Sequence, residues 1–252
     1  MPFYSVPKMS AIQEAILIGK KLNELHGKII FWLVFMLVAS MNDAFAGRLP
    51  MSWEKYVQEA NKIGAGQLLL VLTSRKGEAQ GQLYCLEKQN GKWKMGLEPM
   101  ACSVGRNGIA DDGAKREGDG MSPWGTFKIG FAFGYDEECE TRMPYKQMHE
   151  NDIWVDDLKA SDYNQLTKKE LTNADSFECM RRKDELYRKG LVVEYNTEER
   201  VPGYGSAIFI HFWGRPFNTT SGCVGLPMHH LEAVLRFLEP DKTPAIGFYR
   251  RD

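Results

Sequence analysis

The sequence predicts a single mainly β domain with a few peripheral helices, and three observations carry that prediction. Short apolar runs bounded by glycine-, asparagine- and serine-bearing turns recur along the chain. Asn90-Gly91 stands between two β-prone flanks, the pattern of a tight hairpin. Only three stretches beyond residue 46 place apolar residues at helical spacing.

The first 46 residues are expected to lie outside that domain. "IIFWLVFMLVAS" is an uncharged apolar run that follows Lys20, Lys21 and Lys28. It leads into "MNDAFA", where Ala44 and Ala46 occupy the −3 and −1 places of a small-residue cleavage site. This three-part pattern predicts a signal peptide over 1–46, cut after Ala46, and a protein exported to the periplasm. An uncleaved anchor is the alternative, but the run falls short of the roughly 20 residues a spanning helix needs. The stretch before the run is long for a leader, which fits a start at Met9. No cysteine stands at the cut, which argues against a lipid anchor.

In the mature chain, "SWEKYVQEANKIG" predicts a helix capped at Ser52 and stopped at Gly64, with Tyr56 and Ala60 on one face. "QLLLVLTS" (67–74) predicts a buried strand, and 81–97 the hairpin. Together, residues 47–100 make the N-terminal helix and hairpin of the domain, and 101–252 the remainder. "GTFKIGFAFG" (125–134), "LVVEY" (191–195) and "AIGFY" (245–249) predict further strands. "SAIFIHFW" (206–213) alternates Ile208, Ile210 and Phe212 against Phe209, His211 and Trp213, the pattern of a half-buried strand. A second helix is predicted from Ser176 to Gly190. A third opens at Pro227 and stacks Leu231, Val234, Leu235 and Leu238 on one stripe. Residues 136–169 are polar and loop-like, long enough for a capping region reaching to about 190.

Composition is that of a globular protein, with 43% apolar and 26% charged residues and a net charge of −1. No basic field exists to hold nucleic acid, and no nucleic-acid-binding motif is present. No stable membrane insertion is expected once the leader is removed. Five cysteines survive the cut, an odd number. In an oxidising compartment Cys85–Cys102 and Cys139–Cys179 make one plausible pairing, though sequence does not determine connectivity. Cys223 would then be the free thiol.

Cys223 sits twelve residues after His211, across "GRPFNTTSG". A thiolate is the reactive form, so a nucleophilic cysteine needs a base close by. A loop of this length returns the chain beside the strand end that carries His211. Gly222 allows close backbone approach, and the amides of Gly222 and Cys223 would face an oxyanion. The bland alternatives stay open: a core histidine bonded to a carbonyl and a buried small thiol. Other candidates read as structural. Glu117 and Asp119 share a face if extended, but the glycines around them favour a turn with Asp119 bonding its own backbone. Asp156-Asp157 reads as a solvated loop rather than a cation site. His229 and His230 are adjacent on a helix and so point apart. No zinc-like spacing, phosphate-cradling loop or cofactor motif is present.

"IHFWGRPFNTTSGCVGLP" resembles the active-site motif of the L,D-transpeptidase catalytic-domain (YkuD-like) family, a strand histidine followed by Ser/Thr-x-Gly-Cys. His211, Thr220, Gly222 and Cys223 fill those places in order. "KREGDGMSPWGTFKIG" resembles the family's Gly-Asp-Gly-x-Thr/Ser-Pro-x-Gly block through Gly118, Asp119, Gly120, Ser122, Pro123 and Gly125. "GRNG", "WVDD", "VVEYN" and "GYGSAIFIH" are similar to the subgroup with long insertions between the blocks. The resemblance implies a β-sandwich of mixed sheets and a cysteine acyltransferase needing no cofactor or metal. Its substrates would be peptidoglycan stem peptides, with a second stem or a wall-linked protein as acceptor. It implies Cys223 as nucleophile, His211 as base and the Phe212 carbonyl as the group orienting the imidazole. Trp213, Thr220, Ser221 and Arg106 would contact substrate. Two places depart from the family: Ser221 stands where His is frequent, and Gly225 where a substrate-contacting Arg is frequent. Arg106, Lys115, Arg116 and Arg215 are the alternatives for that cationic role. The same Cys-His pair would also serve a stem carboxypeptidase or amide hydrolase. A wall-binding module without chemistry is the alternative of another class.

Overall fold

A computed structural model describes residues 53–251. The predicted signal peptide and the Ser52 cap lie outside the described residues, as does Asp252. Within them, helix α1 (Glu54–Lys62) is followed by β1 (Gln67–Thr73), β2 (Gln80–Gln89), β3 (Lys92–Ser103) and β4 (Gly125–Gly134). Then come β5 (Tyr145–Gln147), β6 (Asp152–Val155), β7 (Leu166–Lys168), β8 (Phe177–Cys179) and β9 (Lys189–Val193). The chain ends with β10 (Phe209–Phe212), β11 (Val224–Leu226), α2 (Met228–Phe237) and β12 (Pro244–Arg250).

Nine strands form one mixed sheet in the order β12-β1-β2-β3-β11-β10-β9-β4-β5, and β12 also pairs with β4. That extra pairing closes the ladder on itself, so the sheet wraps two layers around a common core and leaves β5 at the margin. The β1–β12, β10–β11 and β4–β5 pairs are parallel and the rest antiparallel. This is the mainly β, mixed-sheet sandwich expected from the sequence. Asn90 and Gly91 both take positive φ at the predicted hairpin, joining β2 to β3.

Three apolar clusters follow from the period of two. On β1, Leu69 and Val71 face the central core, while Leu68, Leu70 and Leu72 face a second cluster beneath α1 with Tyr56 and Ala60. Each such leucine contributes ~2 kcal/mol relative to an exposed one. Ile208, just before β10, and Ile210 on it enter the central core with Leu231, Val234 and Leu235 of α2. Phe209 points the other way into a third cluster with Phe133, Trp154, Tyr187 and Cys223. The strand predicted as half-buried is therefore covered on both faces, because residues 145–187 fold over its outer side.

That insertion departs from the sequence reading in two ways. Residues 136–169 are not a loop but hold β5, β6 and β7, and β6 centres a three-stranded sheet, β7-β6-β8. Residues 176–190 are not a helix. Phe177–Cys179 pairs with Ile153–Val155, and the chain then turns through Glu185, at φ 59°, into β9. The Asp184 carboxylate accepts from the Leu186 N–H and from the Arg182 guanidinium, side-chain bonds that compete with helical ones.

All five cysteines are unbridged. Cys85 pairs with Leu97 across the hairpin, whereas Cys102 lies opposite Gly81. Four residues along a strand put these thiols ~13 Å apart, far beyond disulfide reach. Cys139 packs against the central core while Cys179 is exposed on β8, so the second expected pair is absent too.

Candidate active site

The β10–β11 register builds the site. In this parallel pair Ile210 lies beside Val224 and His211 beside Gly225. Side chains in register share a face, so Ile210 and Val224 enter the central core. Cys223, one residue before Val224, falls with Phe209 on the opposite face, and His211 shares it. Strand alternation thus brings sulfur and imidazole to one side, and both line a cavity of about 260 Å³.

The loop that presents Cys223 is held by its own hydroxyls. Thr220 Oγ1 donates to Cys223 O (2.6 Å) and accepts from Gly222 N–H (3.1 Å). Ser122 Oγ donates to Gly222 O (2.7 Å) and accepts from Gly105 N–H (3.0 Å), clamping the Gly-Asp-Gly block to the thiol loop. A Cβ on Gly222 would lie 2.9 Å from Met121 O, so the close approach requires glycine. Asp119 makes the predicted turn, accepting from the backbone N–H of Arg116 (2.7 Å) and of Met121 (2.8 Å). The Gly222 amide, expected to face an oxyanion, instead donates to Thr220.

His211 is 5% exposed. Its Nδ1 lies 2.7 Å from Phe212 O. A carbonyl only accepts, so Nδ1 carries the proton and Nε2 has the free lone pair. Tyr187 packs edge-on against the imidazole at 5.2 Å, and its hydroxyl donates to Glu178. Burial pulls the imidazole down to about 4 and pushes the Cys223 thiol up to about 12, so the pair rests neutral. The sulfur lies 3.3 Å from Phe209 N and 3.3 Å from Ala207 O.

The other predicted residues divide. Trp213, Thr220, Ser221 and Arg106 line the cavity, and Arg106 Nη1 donates to Ser221 Oγ at 3.1 Å. Lys115 also lines it, 4% exposed, with Nζ on Asp119 Oδ1 (2.8 Å) and Arg116 O (2.6 Å). Arg116 turns away to Gly113 O and the Tyr204 ring, and Arg215 is exposed outside the cavity. Gly225 faces the site beside His211 but has no room: a Cβ would collide with Ser103 Oγ and lie 3.0 Å from Trp213 Cβ. An arginine at this position is sterically excluded by the packing around it.

Tyr187 and Glu178 escaped sequence reading, and so did Arg182 and Asn164. Arg182, from the segment predicted as a helix, lines the cavity with its guanidinium 5.0 Å from the Tyr187 ring centre and forked on Asp184 (2.9 and 2.6 Å). Asn164, 2% exposed, accepts from Trp154 Nε1 (2.8 Å) and Ala207 N–H (3.1 Å) and donates to Tyr195 O and Asn196 O. It holds Ala207 at φ 53°, the conformation that turns the Ala207 carbonyl to the sulfur. Neither Arg182 nor Asn164 belongs to a local pattern, so no short-range signal marked them. Among the described residues no group of acidic, histidine and cysteine side chains has metal-binding geometry.

A closed mixed β-sandwich thus places a cysteine and a histidine in the wall of one cavity. The family model of YkuD, the L,D-transpeptidase catalytic domain, matches residues 76–246, more than half of the chain. The protein belongs to that family, whose members are acyltransferases acting on peptidoglycan stem peptides. No curated protein matches the sequence.

Proposed function

We propose that the protein is an exported, periplasmic L,D-transpeptidase with Cys223 as nucleophile and His211 as base. The observation that carries this reading is the Nδ1 contact with Phe212 O, which leaves Nε2 of a buried imidazole as acceptor in the cavity that Cys223 also lines.

Nε2 takes the thiol proton as the sulfur attacks the carbonyl carbon of the third residue of a stem tetrapeptide. The tetrahedral oxyanion is met by the Cys223 N–H, since the Gly222 N–H is engaged by Thr220. The C–N bond to the terminal D-Ala breaks, and the imidazolium gives its proton to the leaving amine. An amine of a second stem or of a wall-linked protein then attacks the thioester, its proton passes to His211, and the thiol is restored. No metal or organic cofactor enters these steps. Because Gly225 admits no side chain, Arg182 and Arg106 hold the substrate carboxylate.

The test is mass spectrometry of the protein and its Cys223→Ala variant incubated with disaccharide-tetrapeptide. Dimers that have lost one D-Ala, formed only with the cysteine, are the expected result. Cysteine-dependent tripeptide without dimers would make the protein a hydrolase. Equal product from the variant would remove Cys223 from the chemistry.

A further inference from the structure

The small sheet β7-β6-β8 brings carboxylates to the thiol cavity. Trp154 on β6 lies across from Glu178 on β8, and side chains in register share a face. Trp154 packs on Phe209 at 5.0 Å, and Phe209 N lies 3.3 Å from the Cys223 sulfur. The face carrying Glu178 is therefore the one turned to the thiol. Tyr187 ties Glu178 to the base, because its hydroxyl donates to Glu178 Oε2 and its ring lies 5.2 Å from the His211 ring. Asp156, two residues past Trp154, and Glu117, just before the Gly-Asp-Gly block, line the same cavity as Glu178, His211 and Cys223.

Among the described residues these carboxylates accept hydrogen bonds only from neutral groups. Glu178 has the Tyr187 hydroxyl, and Glu117 has the hydroxyls of Tyr163 (2.6 Å) and Ser206 (2.8 Å). Asp156 Oδ1 is shielded from solvent and takes no hydrogen bond at all. Two cations of the cavity are engaged elsewhere, Lys115 on Asp119 and Arg182 on Asp184. With those partners counted, Arg106, Lys115 and Arg182 stand against five carboxylates. The acids do not converge to metal-binding geometry. Excess negative charge beside a shielded, unpartnered acceptor instead suits an ammonium, which brings one positive charge and three donors. Burial, with the negative charges of Asp156 and Glu117 behind it, holds the Glu178 carboxyl above the ordinary carboxylate range, against the Tyr187 hydrogen bond and the Arg182 guanidinium. That favours uptake of a proton from a bound ligand.

We propose that Glu178, with Asp156 and Glu117, binds the acyl acceptor as an ammonium and acts as the base that removes its first proton. The inference rests on the transpeptidase reading above and concerns the half-reaction that follows the acyl-enzyme. Glu178 takes one proton from the ammonium, giving a neutral amine and a carboxylic acid. The amine nitrogen attacks the thioester carbon, the C–N bond forms and the C–S bond breaks. A second N–H proton passes through His211 to the leaving sulfur, and Glu178 returns its proton to solvent.

The experiment supplies the full chain with disaccharide-tetrapeptide as donor and two acceptors in competition. One is a second tetrapeptide, whose amine is protonated at neutral pH; the other is methoxyamine, which is uncharged there. Mass spectrometry reads the ratio of dimer to methoxyamide. Glu178→Gln, which keeps an acceptor for the Tyr187 hydroxyl, is expected to lower that ratio at least tenfold. Asp156→Asn, which breaks no side-chain hydrogen bond, is expected to lower it at least threefold and decides the matter if Glu178→Gln fails to fold. Loosened packing alone would lower both products together, so an unchanged ratio in the folded variants overturns the proposal whatever the total yield. Wild type that forms methoxyamide or tripeptide but no dimer also overturns it, while leaving acylation of Cys223 standing. No cysteine-dependent product at all overturns the transpeptidase reading as well.

Discussion

At the scale of single residues, the site is a thiol and an imidazole held neutral by burial, and this makes a prediction about pH. The His211 imidazole titrates near 6.5 in the unfolded chain but near 4 in the fold. Between those values the unfolded chain binds the extra proton, so acidification disfavours folding. About 3 kcal/mol of stability is lost as pH falls from 6.5 to 4. The thiol acts at the other end: its ionisation is held up at about 12, so stability declines as pH rises above 9, where the unfolded thiol ionises. The family resemblance implies that carbapenems acylate Cys223, a step that needs His211 neutral and Cys223 as thiol. Its rate is therefore expected to be flat from about pH 5 to 9, with acid loss only toward 4. Stopped-flow acylation across that range checks this; an acid limb near 6.5 would show a solvated imidazole. The residues of this pair were legible because one stretch of seventeen residues, His211 to Pro227, contains them both and strand alternation then sets their common face. Arg182 was not legible, since its place beside Tyr187 depends on pairing between β6 and β8, more than twenty residues apart along the chain.

At the scale of elements, the small sheet β7-β6-β8 is what buries the thiol, and Asn164 connects it to the main sheet. Its amide reaches Trp154 on β6, Tyr195 and Asn196 after β9, and Ala207 before β10. Four bonds from one buried side chain leave no capacity unused. Asn164→Ala is expected to cost about 3 kcal/mol, because it strands buried donors and acceptors on three segments. It also frees Ala207 from its left-handed conformation, so carbapenem acylation should slow at least tenfold while the variant remains folded. Thermal unfolding and acylation kinetics together check this, and wild-type acylation in a destabilised variant would confine Asn164 to a structural role. Elements whose partners are near in sequence were legible: the 81–97 hairpin, β1, and α2 with its Leu231/Leu235 stripe. The strand at 177–179 was not, because its short apolar content fits a helix until β6 supplies the hydrogen-bonding edge. Likewise, the alternation in 206–213 records two faces but not that both are covered, which depends on the insertion.

At the scale of the whole molecule, the proposed export and the cysteine inventory constrain each other. Five thiols in an oxidising compartment would ordinarily be drawn into bridges. This fold prevents that by separation. Cys85 and Cys102 sit on neighbouring strands, out of register by ~13 Å, and both are fully buried with their ionisation pushed up to about 12. Cys223 lines the cavity beneath the insertion, Cys139 is half-buried against the central core, and Cys179 alone is exposed. A bridge between Cys85 and Cys102 would require sliding β2 along β3 by four residues. That shift would displace Leu83 from the core and part Ser103 from Gln80, its neighbour on β2. The protein purified without reductant from an oxidising compartment is therefore expected to release five titratable thiols in guanidinium. In the native state Cys179 should react first with a disulfide reagent, Cys139 more slowly, and Cys85 and Cys102 only on unfolding. Recovery of three thiols instead of five would mean that an internal bridge had formed. The β2–β3 register would then have to differ if that bridge joined Cys85 to Cys102.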